Sequence, residues 1–197
     1  MMPLGFHKAT LFGVAGVSTG AVVLLHDQDY TGDASASITS GIDSTYGEYI
    51  FKFYNINPAT DDVHFGFQVN AVDESGYNEV MTTTYHQAFH KEDDSDTPNV
   101  VYTTARDQAQ GTSYQAITEA QGNGGDESAA GILHLFNPSS TTYVKHFYSR
   151  MNEYISVDRT SDNYVGGYIN TTSAIDEIDF KMTSGNFDGT IKMWGVK

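Results

Sequence analysis

The chain has 197 residues, with 25 acidic against 10 Lys and Arg and a formal net charge of -15, a size that suits one domain with a sizeable core. That charge repels phosphate backbones and anionic lipid surfaces, so nucleic acid is not an expected partner. The chain contains no cysteine, which excludes disulfide, zinc-thiolate and thiol chemistry. Abundant Tyr (13), Phe (11) and Gly (19) favour strands and turns over helices.

Residues 1–25 have the outline of a targeting segment, since Lys8 precedes a mostly apolar stretch. Gly13, Gly16 and Gly20 break that stretch, no small-residue cleavage site follows, and the roughly 18 unbroken apolar residues of a membrane span are missing. Residues 1–20 are read instead as an N-terminal arm, with 10–14 as an edge segment. Leu4, Phe6, Leu11 and Phe12 are its apolar docking contacts, and 21–197 form one domain opening on a strand over 21–26. The run Gly16-Val17-Ser18-Thr19-Gly20 matches the nucleophile-elbow pattern, which needs a buried strand before the serine and a helix after it. A strand-like run follows at once, so a glycine loop is the simpler account.

Residues 34–42 alternate weakly. Residues 46–56 alternate strongly, with Tyr49, Phe51 and Phe53 on one face and Ile50, Lys52 and Tyr54 on the other. Val63, Phe65, Phe67 and Val69 repeat the pattern after Asn57-Pro58-Ala59-Thr60. A period of two with a mixed second face is the antiparallel pattern. The same turn chemistry recurs at Asn137-Pro138-Ser139-Ser140, where Asn and Ser bond their own backbone and Pro fixes φ. Two similar hairpins, 53–67 and 131–147, are therefore expected, giving a sandwich with halves built alike.

Residues 80–89 resume strand character. His86 and His90 have the spacing of two metal ligands on a helix, but four residues of strand span about 13 Å, so they read as surface histidines on one face. The acidic run 92–96 fails the calcium-loop pattern, because counting from Asp94 puts Asn99 where Gly is needed and Ala105 where Glu is needed. A solvated loop is expected there, weak calcium binding being the alternative. Residues 106–126 lean towards helix and read as a short helix or a long ordered loop crossing one end of a sandwich. Such loops are often places of partner contact.

Strand candidates then follow at 144–149, 154–157, 164–169, 175–182 and 190–196, the spacing of about 10 residues typical of a sandwich or barrel. Asp176, Glu177 and Asp179 suggest a glycosidase, with Glu177 and Asp179 about 6.6 Å apart on one strand face. A carboxylate pair on the solvent face of an acidic protein is the simpler reading. Asn170-Thr171-Thr172 fits a glycosylation acceptor, and a polar turn accounts for it better.

The phrases HLFNPSSTTYVKHF, YVGGYINTTSAIDEIDFKMTSGNFDGTIKMWG and YIFKFYNINPATDDVHFGFQVN resemble small structural, fibre- or decoration-like proteins of tailed bacteriophages infecting marine bacteria and cyanobacteria. GFHKATLFGVAG and DQAQGTSYQ look like the same group, so the similarity spans nearly the whole chain. The resemblance implies a β-sandwich in the virion, acting as an oligomer, and carries no active-site residues. The combined expectation is an all-β, antiparallel β-sandwich of jelly-roll type, non-enzymatic and without cofactor. It would serve as a tail-fibre, tail-tip or collar component, with capsid decoration as one alternative. The other is a carbohydrate-binding module that uses exposed Tyr102, Tyr114, Tyr143, Tyr148, Tyr154 or Tyr164. Expected partners are other virion proteins, further copies of the chain (a trimer first) and a host-surface glycan or protein.

Overall fold

A computed structural model of the protein describes residues 21–197. The arm at 1–20, with Leu4, Phe6, Leu11, Phe12 and Ser18, lies outside the described residues. Within them the chain forms strands β1 (Val22–Asp33), β2 (Ala36–Ile38), β3 (Glu48–Pro58), β4 (Phe65–Ala71), β5 (Met81–Lys91), β6 (Asn99–Tyr102) and β7 (Ala109–Gly111). They continue as β8 (Gln115–Ala116), β9 (Ala129–Phe136), β10 (Lys145–Ile155), β11 (Arg159–Ile169), β12 (Ile175–Met182) and β13 (Phe187–Val196). A nine-stranded sheet runs β1-β13-β3-β9-β10-β11-β5-β6, with β7 also on β5, and a four-stranded sheet runs β2-β12-β4-β8. The result is an all-β antiparallel sandwich, an arrangement compatible with the jelly-roll type.

The alternation read from the sequence is the alternation of burial. Tyr49, Phe51 and Phe53 on β3 are buried while Lys52 and Tyr54 face out. On β10, Lys145, Phe147, Ser149, Met151, Glu153 and Ile155 alternate strictly with the outward His146, Tyr148, Arg150, Asn152 and Tyr154. Between the sheets Phe180 of β12 packs against Phe51, Phe53, Phe65 and Phe67, with ring centroids 5.2–6.4 Å apart. Each such ring contributes about 1.5–3 kcal/mol by leaving water.

One hairpin expectation holds and two others change. The 131–147 hairpin is present as β9 and β10, and its turn uses the predicted chemistry: Asn137 sits at φ 44° and Ser140 Oγ accepts from the amides of Thr142 and Tyr143. The 53–67 segment is a corner between sheets, because β3 belongs to the large sheet and β4 to the small one. Similar turn residues therefore serve two different connections, and the two halves are not alike. The candidates 144–149 and 154–157 are one strand, β10, laddered to β11 without a break from Lys145–Ile169 to Ile155–Arg159.

The helix-or-loop segment is an ordered loop. It carries only β7 and β8, and Gln110 adopts a left-handed φ of 56°, which a helix does not tolerate. It bridges the two sheets by backbone hydrogen bonds from Ile117 N to Phe65 O, Thr83 N to Gln108 O and Ser156 N to Ala120 O. In this way it carries the second layer onward over β10, β11 and β5.

Candidate functional site

The strand register places an array of rings on the outer face of the large sheet. Three histidines stand directly opposite tyrosines on neighbouring strands: His134 with Tyr148, His146 with Tyr168, and His86 with Tyr164. The first and third pairs stack at 4.5 and 5.1 Å, and the second meets edge-on at 6.1 Å. Phe136 lies 5.7 Å from Tyr148. The Arg150 guanidinium lies 5.0 Å from the Tyr164 ring centroid, and Lys52 Nζ lies 5.1 Å from that of Trp194. Cross-strand aromatic pairs of this kind contribute a few tenths to about 1 kcal/mol each, so the array stiffens the face as well as shaping it.

Arg150 and Lys192 on this face are paired with carboxylates, while Lys52, opposite Lys192, lies over the Trp194 ring. Arg150 donates to Asp162 from Nε and Nη2 at 3.1 and 2.8 Å, His134 Nδ1 lies 2.5 Å from Glu48 Oε1, and Lys192 Nζ donates to Asp27 at 2.9 Å. A chain of net charge -15 thus presents here a broad aromatic surface on which acidic and basic side chains are interspersed. At one end of it, the 137–144 turn, Tyr46, Phe136 and His146 line an open cleft of about 780 Å³.

Of the tyrosines singled out in the sequence, Tyr102, Tyr148, Tyr154 and Tyr164 share this face. Tyr102 and Tyr148 are 52% and 46% exposed, and Tyr143 in the turn is 74% exposed. Tyr154 donates to Asp158 at 3.2 Å. Tyr114 is elsewhere. It lies over the outer side of the small sheet, donating to Asp179 at 2.7 Å, with Lys181 Nζ 3.9 Å above its ring. His134, His146 and Trp194 of the array escaped the sequence reading, which of the array's histidines places only His86 at the surface. Their signal was present in the period-two alternation, but the register that pairs them was not.

The carboxylates behave differently from the solvent-face pair expected. Asp179 is 3% exposed and is held by Ser37 Oγ at 2.5 Å and Tyr114 Oη at 2.7 Å, because β2 and the 112–114 loop close over it. Glu177 accepts from Asn70 at 3.3 Å. His86 stacks on Tyr164 while His90 bonds Asp94 at 3.0 Å, so the two do not converge. In the acidic run, Asp96 pairs with Arg159. Among the described residues no group of three or more metal-ligating side chains is gathered. Asn170 of the acceptor tripeptide donates to Gln110 at 2.8 Å, as a turn residue does.

One further carboxylate is buried. Glu153, 1% exposed, accepts from Glu119 N at 2.5 Å and Asn163 Nδ2 at 2.7 Å, and burial pushes its pKa up to about 8. Arg106 binds Glu119 through Nε and Nη2 at 3.0 and 3.2 Å, which braces the 103–128 loop internally, while the Glu119 amide joins that loop to Glu153. No protein-family model matches the chain, and a search of curated proteins finds no match.

Proposed function

We propose that the chain is a non-enzymatic structural component of a tailed-phage virion, a tail-fibre, tail-tip or collar part working through contacts of its sheet surfaces. The observation that carries the contact role is the broad aromatic outer face of the large sheet, which spreads across strands instead of converging on a reactive group. Rings that are rigid, amphipathic and low in rotamer entropy make efficient contact surfaces. The resemblance of the 134–147 and 164–195 phrases to phage structural proteins supplies the virion setting. The carboxylates that resembled a catalytic pair support the same reading, since Asp179 is engaged by Ser37 and Tyr114.

Immunogold labelling of purified particles of the phage encoding the chain tests this. Gold at the tail, collar or fibre tips is the expected result, and gold over the head would make it a decoration protein. A blot of dissociated particles that finds no chain at all overturns the virion reading.

A further inference from the structure

Gly166 occupies an outward position of β11, between the outward Tyr164 and Tyr168 of its own strand. In register it is flanked by Tyr148 on β10 and Thr84 on β5. A Cβ built on it would have only Thr84 Oγ1, at 3.9 Å, within 4 Å. Tyr148 stacks on His134 of β9, on the side away from Gly166, and Tyr164 is covered by His86 and Arg150. The missing side chain at Gly166 therefore leaves a gap in the row of rings, a notch beside the Tyr148 ring. Tyr164 and Tyr168 are four residues apart, about 13 Å along a strand, which leaves room for one six-membered ring and its substituents. The Tyr hydroxyls give the rim groups that donate and accept, and Thr84 Oγ1, which donates to Gly166 O at 3.2 Å, adds an acceptor.

We propose that this notch binds a neutral hexopyranose unit of a glycan. A pyranose offers an apolar C–H face to an aromatic ring and hydroxyls at its edge, the combination of surfaces that this rim presents. Charge selects the neutral ligand. The ion pair at the rim, Arg150 with Asp162, is closed on itself, and the chain's net charge of -15 disfavours acidic glycans. This site stands independently of the virion setting, because it rests on strand register, the open position at Gly166 and charge.

The test is binding of the full-length chain to an array of glucose-, galactose-, mannose- and N-acetylglucosamine-terminated neutral glycans. Three variants, Gly166→Val, Tyr148→Ala and Tyr102→Ala, are measured beside the parent. Gly166→Val fills the notch at a position with open space above it, and a β-branched residue suits a strand, so its melting temperature stays at or above the parent's. Parent binding that falls at least about tenfold in Gly166→Val and in Tyr148→Ala, and is kept in Tyr102→Ala at the sheet edge, is the expected result. A parent that binds none of these glycans, or a folded Gly166→Val that binds as well as the parent, overturns the proposal. So does a Gly166→Val variant that keeps glycan binding but loses self-association by light scattering, since the notch would then be a contact between copies.

Discussion

Under β13, β3 and β9 the inner face of the large sheet meets the small sheet, and the contact is made by Phe51, Phe53, Leu133, Ile191 and Met193 against Phe65, Phe67, Ile178 and Phe180. Under β10, β11 and β5 it meets the 103–128 loop, and there Thr83, Gln87, Ser149, Glu153, Ser161 and Asn163 are interspersed with Met81, Tyr85, Met151 and Val165. The loop answers with Gln115, Thr118 and Gln121, all fully buried, whose side chains serve backbone groups. Gln115 Nε2 donates to Arg106 O at 2.9 Å, Thr118 Oγ1 accepts from Phe65 N at 2.7 Å and Gln121 donates to Ile56 O. A strand partner satisfies its backbone through the ladder and leaves its inward side chains free to be apolar. A loop has few ladder bonds, so buried polar side chains must do that work. The two ends of one core therefore fail in different ways.

The apolar end should show the largest single loss. Phe180→Ala removes the ring at the centre of the aromatic cluster and leaves a cavity bounded by two rigid sheets, so the expected cost is about 3–5 kcal/mol. Chemical denaturation at fixed pH measures it. A cost under about 1 kcal/mol would mean the sheets close over the gap, and the apolar end would be as adaptable as a loop-covered one.

The polar end should instead respond to pH. Glu153 has its pKa raised from an ordinary 4.5 to about 8, chiefly by burial, with the Glu119 charge adding to the rise. The Glu119 amide, Asn163 and the Arg106 charge act in the opposite direction without overcoming it. Below pH 4.5 the carboxyl is protonated in folded and unfolded chains alike and its contribution to stability is complete. Between 4.5 and 8 unfolding releases a proton, so that contribution is lost as the pH rises through the folded-state value. Glu153→Gln keeps an acceptor for Asn163 and cannot ionise. It should flatten the profile over this window and exceed the parent at pH 8.5 by about 2–4 kcal/mol. Parallel profiles for the two proteins would show that Glu153 is ionised in the folded state at neutral pH.

What the sequence made legible follows from this contrast. Strands were readable because burial imposes a period of two, as at Tyr49, Phe51 and Phe53. Which sheet a strand joins was not, since Phe65 and Phe67 alternate identically whether β4 pairs with β3 or packs across from it. Asn57-Pro58 and Asn137-Pro138 looked equivalent for the same reason, as turn chemistry specifies a reversal and not its destination. Asp179 looked exposed because the residues that bury it, Ser37 and Tyr114, are 142 and 65 positions away. In the candidate site, Tyr148 and Tyr164 were named from composition. The notch between them depends on the Tyr148–Gly166 register, which local sequence does not encode.

The smallest effect separates polar groups that do structural work from one that does not. Tyr85 is fully buried on β5 in the loop-covered end, yet among the described residues its hydroxyl has no hydrogen-bond partner. Burial and the nearby Glu153 charge both push its pKa upward, so the phenol stays protonated at any pH where the protein folds. A buried hydroxyl without a partner costs desolvation and returns nothing, whereas the ring beneath it packs as Phe would. Tyr85→Phe should therefore change stability by no more than about 0.5 kcal/mol, and in the stabilising direction if at all. The contrast with Thr118 makes the comparison internal, because its hydroxyl takes the Phe65 amide and Thr118→Val should cost about 1–3 kcal/mol. Equal losses in both variants would show that Tyr85 bonds an internal water. The polar end would then be a hydrated network, and the loop would be held by solvent as well as by Gln115, Thr118 and Gln121.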